Sequence, residues 1–222
     1  MHYAAIDVGS PAKGNLGWFI LGPVVEKGGT DPDALTNAIV AACRHGPLVL
    51  GFEAPMYVPA GRHVTALLKA RPGEGSRAWS VAAGATTTAI ALAVVPWLLD
   101  SISKRFVGAR AWQDWNRLPK GPGEIVVFEA FVSGGPSDGH VADARAAATA
   151  AKAAFEGQNL PIASALADED CMSLLGAALL HAGLTDDVSE LHRRCLVVKA
   201  AKSVTMPPAE GVANSVVQQV RT

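Results

Sequence analysis

A basic excess is missing from this chain. Nineteen Lys and Arg stand against 20 Asp and Glu in 222 residues, a formal charge of −1. The global signature of a nucleic-acid binder is therefore absent, although a local basic face stays open. Aromatics are scarce at 6%, and much of the 50% hydrophobic content is alanine and valine. Such small side chains suit a finely packed α or α/β interior. Cysteine is also sparse: Cys43, Cys171 and Cys195 are odd in number, far apart and form no C-x-x-C pair. That excludes a disulfide framework and a zinc knuckle, and points to a reduced, cytoplasmic protein. No secretory leader is read in MHYAAIDVGS, which lacks a basic start and meets a carboxylate at once. One stretch, Ala78 to Leu99, lacks charge altogether. It carries Ser80, Gly84, Thr86, Thr87, Thr88 and Pro96 and favours alanine over leucine, so a buried helix of a soluble core is expected rather than a membrane span.

Several motifs are absent too. There is no G-x-G-x-x-G and no H-E-x-x-H, and no two histidines stand at i, i+4. Gly9 and Gly14 have P-loop spacing, but Asn15 stands where lysine is required. No internal repeat is found.

What is present is enough for one domain over 1–222, with a core that needs no disulfide or metal staple. Tyr3 to Val8 and Leu16 to Leu21 read as strands of a hairpin, and Val24 to Lys27 as a weak third strand. Asp31-Pro32-Asp33 opens a helix that Gly46-Pro47 ends. Residues 48–55 (LVLGFEAP) form an unbroken apolar run, a central strand covered on both faces. Residues 57–77 are irregular. A long helix is expected over Ala82 to Lys104 with a kink near Pro96, then a surface segment over 105–123. Glu124 to Val132 reads as a strand, His140 to Phe155 as an alanine-rich helix, Asp168 to Ala182 as a helix and Cys195 to Ala200 as a last strand. From Pro207 the tail has no strong periodicity and is expected to dock loosely. The order implies an α/β protein with a mixed sheet, hairpin-led, and helices on both faces.

Four carboxylates sit where apolar residues or loops are usual. Asp7 is in the first strand, Glu53 ends the central strand, Glu129 lies inside the late strand, and Asp143 is on the first turn of the alanine-rich helix, three residues after His140. A buried, unpaired carboxylate is costly. A divalent cation makes several converging carboxylates tolerable, and Mg²⁺ favours such oxygen ligands together with waters and substrate phosphates. Each acid also has a bland role available. Asp7 before Gly-Ser forms turns, Glu53 before Ala-Pro caps a chain reversal, and Asp143 favours its helix N-terminus. Glu129 is the hardest to explain so, because alternation puts it beside Val127 and Phe131.

These residues carry a resemblance. The pattern resembles the ribonuclease H-like superfamily: AIDVGS followed by GNLGW is similar to its first hairpin, and LGFEAP to its acid-bearing fourth strand. HVADARAAATAA resembles the last catalytic helix of RuvC-type Holliday junction resolvases, and the whole is most similar to uncharacterised, predicted RNase H-like nucleases. The likeness covers about residues 3–155, with 156–222 as a helix-strand extension of the minimal core. It implies Asp7, Glu53, Glu129 and Asp143 as ligands of Mg²⁺ or Mn²⁺, and His140 as a group orienting water or phosphate. The acidic run Asp168-Glu169-Asp170 offers Asp168 or Asp170 as an alternative fourth ligand.

Basic residues are locally concentrated. Residues 62–77 hold Arg62, His63, Lys69, Arg71 and Arg77, and residues 104–120 hold Lys104, Arg105, Arg110, Arg117 and Lys120 with Trp112 and Trp115 interleaved. With Lys13, the residues Arg62, Arg71, Arg105, Arg110, Trp112 and Trp115 are candidates for phosphate tracking and base stacking. The bland reading is a solvated face with two tryptophans on the core. The function expected first is a metal-dependent nuclease acting on DNA or RNA. A non-catalytic RNase H-like scaffold is the main alternative, marked by an acid neutralised by Arg or Lys. A sugar kinase or actin-like ATP-binding domain, with Ser10, Lys13 and Gly14 near a phosphate, is a further one. No membrane partner is expected.

Overall fold

The computed structural model describes residues 1–23, 25–75, 78–133, 138–157 and 162–201. The first strand, β1 (His2–Asp7), returns through a single 3₁₀ turn at Pro11–Lys13 into β2 (Gly17–Leu21), which pairs antiparallel with β3 (Glu26–Gly29). Gly14 ends the turn at φ 70°, a left-handed conformation that glycine adopts without steric cost. Helix α1 (Pro32–His45) starts as its sequence foretells: the Asp31 carboxylate accepts hydrogen bonds from the N–H groups of Asp33 and Ala34 at 2.8 and 2.9 Å. Such a cap contributes about 1 kcal/mol.

The central strand β4 (Leu48–Glu53) lies parallel to β1. Next come β5 (Tyr57–Pro59), α2 (Ala82–Arg105), β6 (Arg110–Trp112), β7 (Glu124–Ser133) and α3 (His140–Glu156). The described chain closes with β8 (Cys171–Ser173), α4 (Leu174–His181) and β9 (Leu196–Ala201). The main sheet runs β3-β2-β1-β4-β7-β6. Strand β9 also pairs with β7, on its C-terminal half, while β6 pairs with the N-terminal residues. From β1 onward every pairing toward β6 and β9 is parallel. The protein is thus a mixed α/β fold with a mostly parallel central sheet.

Alternation along the strands divides the core. Ile6, Leu50, Phe52 and Val127 face one side with α1, α2 and α4; Tyr3, Ala5, Val49, Val126 and Phe128 face the other, against the alanines of α3. A Cβ on Gly51 would lie 2.1 Å from the Phe128 ring, so the glycine in this apolar run makes room for an aromatic on the next strand. Helix α2 is 24 residues long and by length and composition could cross a membrane. Its inward residues, among them Val95, Leu98, Leu99 and Ile102, are buried in the core.

Three expectations differ from this structure. Residues 105–123 are not all surface: β6 joins the sheet and Trp112 is buried, its indole N–H donating to the Arg117 carbonyl. The segment expected as irregular contains β5, which pairs with β8 in a small second sheet. The last helix begins at Leu174 rather than Asp168, because Ser173 provides the cap, its hydroxyl accepting from the Gly176 N–H. The tail from Pro207 lies outside the described residues.

Candidate functional site

Asp7 and Glu53 end neighbouring parallel strands and are register partners. Partners in a parallel ladder present side chains on the same face, here the face that α3 covers. Helix α3 brings its first turn to the same place. Gly17, the β-bridge partner of Asp7, permits this approach, since a Cβ there would stand 2.2 Å from the backbone carbonyl of His140. His140 Nδ1 lies 2.6 Å from Asp7 Oδ2. An ionised carboxylate only accepts, so Nδ1–H donates to it. The Asp7 side chain is 16% exposed and that of His140 42%, so the pair meets solvent. Asp143 follows one turn along α3, buried, on the rim of a groove between α3 and β9 that also holds Arg145 and Lys199.

Glu129 is not in this group. Its register partner is Phe52, so it faces the opposite side of the sheet from Asp7 and Glu53. There it is 1% exposed and held by Arg71, whose guanidinium donates to Oε2 at 2.8 Å and Oε1 at 2.6 Å. The Met56 N–H donates to Oε2 as well, at 2.9 Å. Glu74 binds the same guanidinium, and the Tyr57 ring lies 4.4 Å from it. Burial pulls the Arg71 pKa down, but the charges of Glu129 and Glu74 and the hydrogen bond to Glu129 outweigh it and raise the pKa above the ordinary arginine range. The expected four-carboxylate set is therefore split by strand pleat, and the orphan acid of β7 finds an arginine instead of joining Asp7.

Asp168 and Asp170 border a different cavity, with Cys171, His192 and Arg194; Asp168 pairs with Arg194 at 3.2 Å. Among the described residues no group of three or more His, Cys, Asp or Glu side chains is arranged to hold a metal ion.

The basic candidates scatter. Arg71 is 1% exposed, so it cannot touch a nucleic acid; this corrects its place among the surface cations. Arg62 is tied to Glu169 and to carbonyls of its own loop. Arg105 donates to Asn37. Arg117 stacks on buried Trp112, and Trp115 is partly buried with its N–H on the Ile162 carbonyl. Neither tryptophan therefore offers a free stacking face at this segment. Arg110 on β6 and Lys13 on the β1–β2 turn are exposed, Lys13 at the strand ends that carry Asp7. Arg77 lies outside the described residues, as does Ser137, the centre of a G-x-S-x-G spacing at 135–139.

Comparison with protein-family models, with curated proteins and with solved structures found no match to this chain.

Proposed function

We propose that the chain is a divalent-metal-dependent nuclease of ribonuclease H-like fold, hydrolysing phosphodiester bonds of DNA or RNA. The observation that carries this reading is the contact of His140 with Asp7 beside the Asp7–Glu53 register pair. The sheet order supports it: an antiparallel β3-β2-β1 start followed by parallel β4 and β7 is the arrangement expected of that superfamily. Asp7 and Glu53 would hold Mg²⁺ or Mn²⁺, with Asp143 and His140 from α3 nearby. These hard oxygen donors fit, because Mg²⁺ is commonly held by only one or two carboxylates and keeps waters and substrate phosphates for the rest of its shell. The chemistry such an ion supplies is a more acidic bound water and stabilisation of charge on the attacking and leaving oxygens. Asp7 orients the His140 imidazole through Nδ1–H, which leaves Nε2 to accept a proton from water attacking phosphorus in line. Lys13, exposed on the adjacent turn, is placed to meet a backbone phosphate. A cytoplasmic setting belongs to the same proposal, since all three cysteines are free thiols and buried.

Calorimetric titration of Mn²⁺ into the wild type and Asp7→Asn tests the site, followed by cleavage assays on DNA, RNA, hybrid and branched substrates. Mn²⁺-dependent cleavage that falls at least a hundredfold in Asp7→Asn is expected. A wild type that neither binds Mn²⁺ nor cleaves any of them overturns the reading. The second reading, a non-catalytic scaffold, would then stand, and the Arg71–Glu129 pair is the observation in its favour.

A further inference from the structure

A cavity of 560 Å³ lies between the C-terminal half of α1 and the β2–β3 ribbon at the edge of the sheet. His2 lines it from the first residue of β1, whereas Asp7 ends that strand, so about 17 Å of extended chain separates it from the candidate metal site. Its size falls in the range of small-ligand pockets, about 300–1,000 Å³. The body is apolar, with Ile20 and Val25 on the ribbon side and Ala38 and Ala42 on α1. Gly22 makes room for the His2 ring, since a Cβ there would stand 2.5 Å from it. His2 is 8% exposed, and its Nδ1 has no hydrogen-bond partner among the described residues. An unpaired polar group in a wall is costly, and native structures keep few of them. Burial holds the His2 pKa below the ordinary histidine value, so at pH 7 the ring is neutral and brings no charge to the cavity.

The charge is supplied by Lys27. It is the register partner of Ile20, which turns it to the α1 side of the sheet. Its neighbour Glu26 alternates to the other side and pairs with Arg145 of α3. On α1, Asn37 Oδ1 accepts from the Arg105 guanidinium at 2.6 Å, so the Asn37 NH₂ remains a donor beside a second cation. Asn37 stands eight residues before His45, about 12 Å along the helix and away from the negative end of its dipole. That end has Arg44 and His45 in its last turn, and His45 Nδ1–H donates to the Ala41 carbonyl at 2.6 Å. Val24, beside the lining residues Pro23 and Val25, lies outside the described residues and as a valine carries no charge. A cation, an amide donor and an apolar body call for an anion with an apolar body of its own. We propose that this cavity binds a small organic carboxylate, its charged group toward Lys27 and Asn37 and its hydrocarbon along Ile20, Val25, Ala38 and Ala42. The proposal does not depend on the nuclease reading.

The test is calorimetric titration of the full chain with octanoate, 1-octanol and octylammonium, which share one hydrocarbon body and differ in charge. Octanoate should bind with a Kd below about 1 mM, octanol about fivefold more weakly, and octylammonium more weakly still. Lys27→Glu, on the exposed edge strand, should weaken octanoate about tenfold and leave octanol nearly unchanged. Ala41→Phe, at an exposed position on the cavity wall, places a ring in the space and should weaken octanoate and octanol together. Melting temperatures are recorded for both variants, and Lys27→Glu decides alone if Ala41→Phe does not fold. No octanoate binding by the wild type would overturn the proposal. So would octanol or octylammonium binding as tightly as octanoate, which would show a neutral or cationic occupant instead. Octanoate affinity that is unchanged in Lys27→Glu, or in an Ala41→Phe that melts like the wild type, would place the binding elsewhere and overturn it as well.

Discussion

Replacing Arg71 by methionine isolates the largest electrostatic commitment in the interior. The methionine fills much of the same space but removes a guanidinium that makes two hydrogen bonds to Glu129, two to Glu74 and a longer one to the Tyr57 carbonyl. Glu129 keeps its Met56 N–H, and Glu74 keeps the backbone N–H of residue 71. Both carboxylates remain at 1% and 4% exposure, and the described residues hold no second cation against Glu129. Breaking a buried ion pair from one side costs about 3–5 kcal/mol. In a chain of this size that is a fall in melting temperature of roughly 6–20 °C. The deficit should depend on pH. An orphaned buried carboxylate has a folded pKa above its unfolded value, so the stability it retains is present at low pH and lost as pH rises through the folded pKa. Urea unfolding should therefore show a smaller difference between variant and wild type at pH 5 than at pH 7. The wild type has no such window from Arg71 itself, whose raised pKa keeps the guanidinium charged at every pH below the arginine range. A second substitution, Glu129→Leu, should recover part of the loss by removing one orphan charge. A cost under about 1 kcal/mol, or one equal at both pH values, would show that water reaches these carboxylates and would refute the account.

Gly17→Ala forces its Cβ against the His140 backbone, so α3 must shift away from β2; a cost of about 1–3 kcal/mol in urea unfolding and weaker Mn²⁺ binding by calorimetry are expected together. Loss of stability with unchanged Mn²⁺ affinity would separate the α3 terminus from the site. Burial pushes the Cys43 and Cys171 thiols up to about 11 and Cys195 well above its usual value, so the native protein should resist iodoacetamide at pH 8, read by mass spectrometry. Because these folded pKa values exceed the unfolded ones, the thiols' contribution to stability is complete below pH 9 and should fall between pH 9 and 11.

Much of the frame was legible because it rests on local rules. The β1–β2 hairpin, the Asp31 cap of α1, the apolar β4 and the alanine face of α3 all follow from periodicity and capping. Asp7, Glu53, His140 and Asp143 could be nominated from their positions on those elements. Glu129 shows where such reasoning stops. Its alternation was read correctly along its own strand, but which face β7 shares with β1 and β4 depends on register, and the pairing of Phe52 with Glu129 is a tertiary fact. Arg71 is the same problem from the other side. It sits in a Gly- and Pro-rich loop with nothing local to mark it as buried, and its role is visible only once Glu129 is found lacking a cation. Trp112 followed the same course, because a three-residue strand is too short to announce itself in the sequence.

Strand β7 carries two neighbours on one edge, β6 along its first residues and β9 along its last. The first comes from just before it in the chain and the second from more than sixty residues later. During synthesis, then, the half of β7 that contains Glu129 emerges with its outer backbone groups unpaired and stays so until residues 196–201 have left the ribosome. An open parallel edge is a template for any other extended segment, so this interval is when the chain is most exposed to mispairing. Arg71, already synthesised by then, can seat on Glu129 beforehand and hold that strand in place until β9 arrives to close it.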